Sequence, residues 1–465
     1  LFGPSSRRRT RGGELPASVR RWAAATQARE RVKRSGEAFA VDHGVAAGPG
    51  VRRALEARPP RAIRAARLQR ALPVGARLLD YLVHDGRVGA LSVSRDALDG
   101  RAALASEAQL AQRAHGLLFA LRGAAYLPAA ERAPDPALEA QLEEFASLAL
   151  WPLLAGEGPR SLAIAPVGPL TRLPWAALPL PDGRALCEAC ETVVVPGLRL
   201  GLARAAAHDP RLDEPLVIAV DAGDLAAVGA ETRAVMQAFP RARLLTGEQA
   251  TAARFLELAP RAGWIHFAGH GGWRADAPHE SGLRLHDRWL LAGELADLPL
   301  AARWVTLSAC HTARALVRPG EEWFGLARSF LLAGARAVVA AQWDVEDGPT
   351  ARLMADLYGR LAGGIPLARA LAGAQASMRA AGLHPLDWAG FVVLSGPAEL
   401  TSGPLPGLRN AGSGVALGTD PGMSETTSVT PVVESSGLTT ADPKFAGALC
   451  RTGALNSAAF GGKRP

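Results

Sequence analysis

The chain has 465 residues, 48% of them hydrophobic, which is enough for two or three domains with sizeable cores; no run approaches the ~18 uninterrupted apolar residues of a membrane span. The net charge of +8 is unevenly placed: residues 1–70 hold 17 basic and five acidic side chains, a net of +12, so the remainder stands at −4. Four cysteines exclude a disulfide scaffold and point to a reducing compartment, so a cytoplasmic location is expected.

The leader, residues 1–70, mixes Arg, Ala, Gly and Pro with weak periodicity; beyond a helical pattern near 18–35 it is expected to be partly disordered. Its first residues are polar and arginine-rich, without the apolar stretch of a signal peptide. Lys33, Lys444 and Lys463 are the only lysines. A GC-rich coding bias explains such arginine-dominated charge, and a basic arm for nucleic acid or an acidic partner is the other reading.

From residue 71 the pattern becomes regular. Ala76–Val83 and Val88–Ser94 are apolar runs joined across Asp85-Gly86, the signature of a hairpin. Ser106–Leu121 and Pro136–Leu154 read as amphipathic helices, and Ser161–Pro166 and Thr192–Val195 as short buried strands. A second cycle predicts strands at Pro215–Val220, Arg243–Leu245, Gly263–Ala268, Ala302–Ala309, Ala335–Gln342 and Trp388–Leu394. Helices are predicted between them at Thr232–Phe239, Ala250–Leu258, Phe324–Ala333, Thr350–Leu361 and Pro366–Arg379. Continuous apolar strands alternating with helices imply a mostly parallel sheet covered on both faces, with any site beyond the carboxyl ends of its strands. After Pro397 the composition turns to Gly, Ser, Thr and Pro, and residues 401–465 read as a disordered tail.

Two strand ends carry reactive side chains. The run Trp264–Ala268 ends at Gly269-His270-Gly271-Gly272, and Trp304–Ala309 ends at Cys310-His311-Thr312. If the two strands are neighbours, Cys310 and His270 project over one edge. An imidazole there could take the thiol proton and later protonate a leaving amine, and the thiolate is the attacking species. The backbone N–H groups of Gly271 and Cys310 could face a developing oxyanion. Equally, a cysteine ending an apolar strand can be a small core residue and a histidine among glycines a turn residue. Of the rival histidines, His266 lies inside the strand and reads as core, His279 and His286 fall in a polar loop, and His311 adjoins Cys310 and is expected to point elsewhere. Cys187 and Cys190 form a lone C-x-x-C that reads as structural, with a metal or redox site as the alternative. No P-loop, dinucleotide fingerprint or spaced zinc set is present, so no cofactor and no metal is expected.

The ordered segments HFAGHG (266–271), SGLRL (281–285), LSACHTA (307–313) and RPGEEWFGLARSFLLAGARAVVAAQWDVED (318–347) resemble the CHAT family, caspase-like domains in the wider group of caspases, separase and gingipain-type peptidases. Upstream, LPVGARLLDYLV (72–83), VGPLTRLPWAALPLPDGRAL (167–186), VPGLRL (195–200) and AVGAETRAV (227–235) look like the first part of the same domain, so the resemblance covers roughly 70–397. Two departures stand out: the tetratricopeptide repeats often found upstream in the family are not visible in this sequence, where a shorter arginine-rich leader stands as in a fragment of a longer chain, and His311-Thr312 is read where Glu-Thr is common.

The resemblance implies a caspase-like α/β/α sandwich with a mostly parallel sheet, preceded by a degenerate related subdomain: 71–210 non-catalytic, 211–400 catalytic. It implies His270 as general base, Cys310 as nucleophile, and a peptide or protein substrate cut through a thioester intermediate. The segment Trp343–Asp347 is similar to one that supplies an acidic S1 pocket in separases, which implies that Asp347, and with it Asp344, receives an Arg or Lys; capping of the following helix is the other reading. An activating protein partner in a signalling or defence system is implied too, with no membrane and no nucleic acid bound directly by the catalytic domain. The alternative is a non-catalytic interaction module that keeps the fold. In a third reading the arginine-rich leader tethers nucleic acid.

Overall fold

The stretches Trp264–Ala268, Trp304–Ser308 and Ala337–Ala341 are rich in aromatic, β-branched and alanine side chains, and every residue in them is buried. Successive strand side chains point to opposite faces, so complete burial means that both faces are covered. The computed structural model describes residues 65–132, 135–154, 160–198, 214–220, 226–272, 280–308, 316–317 and 323–401. The predicted helix near 18–35 and the tail beyond Thr401 lie outside the described residues.

A helix at Ala65–Ala71, with Leu68 buried, puts the start of the folded body inside the stretch assigned to the leader. It precedes β1 (Ala76–His84) and β2 (Arg87–Ser94), an antiparallel hairpin with His84 opposite Arg87. The intervening Asp85 and Gly86 have φ of 49° and 69°, the two-residue turn whose twist suits paired strands. A third strand, β3 (Leu98–Ser106), continues the meander; its weak, partly exposed pattern gave no strand signal in the sequence, as befits an edge. Ser106 closes β3 and caps the helix Glu107–Gly123 by accepting from the Gln109 N–H, and Asp135 caps Pro136–Ala149 in the same manner. Next come β4 (Ser161–Ala165) and β5 (Glu191–Val194).

The second cycle runs β6 (Glu214–Ala219), β7 (Arg243–Thr246), β8 (Ala262–Ala268), β9 (Gly271–Gly272), β10 (Gly282–Arg284), β11 (Trp289–Leu291), β12 (Trp304–Ser308), β13 (Leu316–Val317), β14 (Trp323–Phe324), β15 (Ala337–Ala341) and β16 (Phe391–Ser395). Eleven of these strands form one sheet in the order β3-β2-β1-β4-β5-β16-β15-β12-β8-β6-β7. Pairing is parallel except for β1 with β2, β2 with β3 and β15 with β16. The last described strand, β16, enters the middle of the sheet, antiparallel to β15 and parallel to β5, and so joins the early strands to the later ones. Helices Ala226–Ala238, Asp347–Ala362 and Leu367–Ala380 pack in a row, and Leu326–Ala333 lies against β15. The protein is thus a mixed α/β fold built on a large, mostly parallel sheet.

The β9-β10-β11 sheet and the β13–β14 pair are only two or three residues to a strand, too short for periodicity to reveal. The helix expected from Thr350 begins earlier, at Asp347, because the backbone carbonyl of Glu346 already accepts both the N–H and the hydroxyl of Thr350.

Gly86 has nothing within 4 Å of a hypothetical Cβ, so backbone strain alone opposes a side chain there. Gly86→Ala is expected to cost about 1 kcal/mol, and Gly86→Asn less, read as shifts in the urea midpoint.

Candidate active site

Strands β8 and β12 are parallel neighbours in continuous register, Val305 opposite Ile265, Thr306 opposite His266, Leu307 opposite Phe267 and Ser308 opposite Ala268. The chain therefore leaves both strands at one level of the sheet edge, two residues before His270 in one case and two before Cys310 in the other. Gly269 bridges the ends by donating its N–H to the Ser308 carbonyl at 3.2 Å. A Cβ on Gly269 would stand 3.2 Å from both Cβ and the carbonyl oxygen of Val220, so a side chain there would push the His270 turn off the end of β6. Cys310 lies outside the described residues, as do His279 and His311.

His270 is half-buried, and its carbonyl accepts the Arg284 N–H at 2.9 Å. Gly271 faces Leu283 in the next antiparallel position. Antiparallel pairs alternate between hydrogen-bonded and non-hydrogen-bonded, so with His270–Arg284 bonded, the Gly271 N–H points away from β10. That N–H is therefore not spent on the β9–β10 pairing.

Beneath the strand ends lies a buried polar chain. The Tyr358 hydroxyl donates to Thr306 Oγ1 at 2.9 Å and meets His266 Nδ1 at 2.9 Å. On the other side of the ring, His266 Nε2 stands 3.3 Å from Glu231 Oε1, and Glu231 Oε2 accepts the Ser308 hydroxyl at 2.9 Å. His266 is fully enclosed, as its place inside β8 predicted, but in polar rather than apolar company. Burial pushes the Tyr358 phenol well above its usual range, so it remains a proton donor.

The segment after β15 is held on three sides. The Gln342 side chain donates to the Thr171 carbonyl at 3.0 Å, its backbone N–H to the Gly390 carbonyl at 2.9 Å, and Trp343 Nε1 to the Leu386 carbonyl at 2.9 Å. Arg132, from the first part of the chain, is buried and pairs with both Asp387 and Glu346, while its Nε donates to the carbonyls of Ala124 and Leu127. Glu346 is thereby fixed at the mouth of the Asp347–Ala362 helix. Asp344 and Asp347 are both exposed, and Glu346 rather than either aspartate occupies the cap position. The Asp347 carboxyl is raised above the ordinary range by partial burial first, then by the negative charge of Glu231, against the opposing pull of His270, with Glu346 raising it further. Glu231 and His270 thus both sit within electrostatic reach of Asp347, although 116 positions separate the aspartate from Glu231 in the sequence.

His286 is exposed on the turn between β10 and β11, away from this chemistry in its contacts: its N–H donates to the Ala250 carbonyl. Cys187 and Cys190 are buried free thiols, both pushed up to about 12 by burial, which suits structural cysteines. Among the described residues no three His, Cys, Asp or Glu side chains are grouped to hold a metal ion, and no described helix is long and apolar enough to cross a membrane.

The CHAT domain model matches residues 131–397. The chain belongs to the CHAT domain family. The matched stretch takes in Arg132 at one end and β16 at the other, so the whole arrangement described above is CHAT domain. Tetratricopeptide repeat protein 28 of Mus musculus is 28% identical over 198 residues, and its Homo sapiens counterpart 25%; each match covers 34% of this chain and only 8% of those far longer relatives. Among solved structures, separase in the Saccharomyces cerevisiae separase–securin complex aligns with a TM-score of 0.48 and 12% identity over 72% of this chain and 31% of its own. The Arg-specific cysteine proteinase gingipain R aligns with a TM-score of 0.40 and 11% identity over 58% of this chain and 70% of its own.

The sequence reading missed Arg132, Glu231 and Tyr358. Glu231 gave the best clue, a carboxylate within the family-like segment AVGAETRAV. Arg132 gave none, since its partners lie 214 and 255 residues away.

Burial raises the Asp387 carboxyl and Arg132 holds it down, so removing the arginine strands a buried carboxylate. Arg132→Met is expected to cost about 3–5 kcal/mol near neutral pH. A raised folded-state carboxyl favours folding when protonated, so the loss should shrink as pH falls through the Asp387 range, and Asp387→Asn on the Arg132→Met background should recover most of it. Urea midpoints at two pH values check both.

Proposed function

We propose that this CHAT domain is a cysteine endopeptidase in which His270 is the general base and Cys310 the nucleophile. The observation that carries the reading is the in-register pairing of β8 with β12, which ends both strands at one level of the sheet edge, each two residues short of a dyad member. His270 accepts the thiol proton, the thiolate attacks the scissile carbonyl, and the Gly271 and Cys310 N–H groups receive the oxyanion. The protonated imidazole then passes its proton to the leaving amine, and water hydrolyses the thioester with His270 again as base. Residues 211–400 form the catalytic part of this reading and 71–210 the supporting part.

Asp347, with Asp344 beside it, is the proposed acceptor for an Arg or Lys before the cut. Two carboxylates, Glu231 and Glu346, lie within electrostatic reach of Asp347; His266 faces the first and Arg132 the second, and a substrate cation would answer Asp347 itself. A protein partner that activates the site in the cytoplasm completes the reading.

An electrophilic peptide with Arg at the cleavage position should label the wild-type chain once, at Cys310. Equal labelling of Cys310→Ala removes the nucleophile assignment, and a correctly folded wild type that never labels, with or without candidate partners, favours a non-catalytic interaction module. His270→Ala should lower kcat by roughly 10²–10⁴-fold. Asp347→Asn should lower kcat/KM for Arg peptides about 10–100-fold while sparing neutral ones, the worth of one charge-assisted bond. Because the Asp347 carboxyl is raised, its charge is lost earlier than usual on acidification. Arg selectivity should therefore fade at a pH above the ordinary carboxylate range, as read from paired Arg and neutral substrates.

A further inference from the structure

Glu231 is 4% exposed, belongs to neither strand that ends at the site, and touches a side chain of each. From helix Ala226–Ala238 one carboxylate oxygen accepts the hydroxyl of Ser308, the last residue of β12 and two before Cys310. The other faces Nε2 of His266, on β8 and four before His270.

The Tyr358 hydroxyl donates to Thr306 and meets His266 Nδ1, where the direction of the bond follows the tautomer of the ring. His266 Nε2 and Glu231 Oε1 then face each other at 3.3 Å, and neither atom has another hydrogen-bond partner among the described residues. Two bare lone pairs in a site closed to water would repel, so a proton lies between them. The carboxyl group and the ring therefore act as a proton-sharing pair under the sheet edge.

We propose that Glu231 is a positioning residue for the Cys310–His270 dyad, locking the end of β12 through Ser308 to the end of β8 through His266. The kinetic consequence rests on the peptidase reading; the geometric one does not. Misplacing either reacting group by about 1 Å can cost on the order of 100-fold in rate. The same carboxylate also presses on Asp347: its charge raises that carboxyl, alongside Glu346 and against His270. The groups facing Glu231 are His266 from β8, Ser308 from β12, and Tyr358 and Asp347 from the helix Asp347–Ala362.

Glu231→Gln keeps an acceptor for Ser308 and removes the charge, and Ser308→Ala removes the tie to β12 alone, so one can report if the other does not fold. In the full chain Glu231→Gln should lower kcat for an Arg peptide roughly 10–100-fold with KM within about twofold. With its negative neighbour gone, Asp347 stays ionised to lower pH, so the acid limb of kcat/KM should move down in pH; a loss of packing alone would leave the limb in place. Peptide-resolved alkylation of Cys310 by iodoacetamide across pH, which needs no peptidase activity, should also change in rate or midpoint. Wild-type hydrolysis with a Glu231→Gln variant that matches it in kcat, acid limb and alkylation overturns the positioning role. Absence of wild-type hydrolysis sinks the peptidase reading alone, and the alkylation comparison then decides on Glu231: a changed profile upholds it, an identical one overturns it.

Discussion

Parallel pairing in step between β8 and β12 is the constraint on which the rest depends. One residue of slip would turn Ser308 from Glu231 toward the opposite face of the sheet and move His266 out of reach of Thr306's partner, Tyr358. The register is held by backbone bonds at the strand ends and by the buried polar chain beneath them. Hydrophobic burial alone would tolerate neighbouring alanines and valines in several arrangements; the polar chain tolerates few, since each displaced member leaves a buried group without its partner.

A second set of contacts reaches the same edge from the far side. Arg132 stands just before the helix Pro136–Ala149, yet its guanidinium ends on Asp387 and Glu346, near the last strand and at the start of the helix whose first residue is Asp347. Burial also lowers the nearby His384 imidazole, and the charge of Arg132 adds to that. The first part of the chain therefore does more than widen the sheet: the segment between its two helices delivers one cation to the carboxylate that precedes Asp347.

Much of this was legible in the sequence because the informative signals are local. Asp85-Gly86 between two apolar runs specifies a hairpin, and all-apolar runs such as Trp304–Ser308 specify central strands. His270 could be singled out because a histidine follows such a run. What was not legible is relational. No property of the segment around Arg132 anticipates partners more than 200 residues away, and the half-exposed β3 lacks the alternation that marks a strand. His266 was correctly read as interior, but whether an interior histidine meets leucines or a glutamate is decided by a helix elsewhere in the chain.

The position of β16 has a consequence for the order in which the molecule can be made. It is the last of the described strands and it lies between β5 and β15. A ribosome reaches it roughly 10–40 s after completing β5, at about 5–20 residues per second. Throughout that interval β5 has an open hydrogen-bonding edge, and β15 has one from its own emergence onward. β15 is wholly apolar and β5 half so, and both unpaired edges are suited to pairing with a stranger. The nascent chain thus carries two unfinished half-sheets whose correct closure waits on five residues, Phe391–Ser395, and in that window its vulnerability to aggregation is greatest.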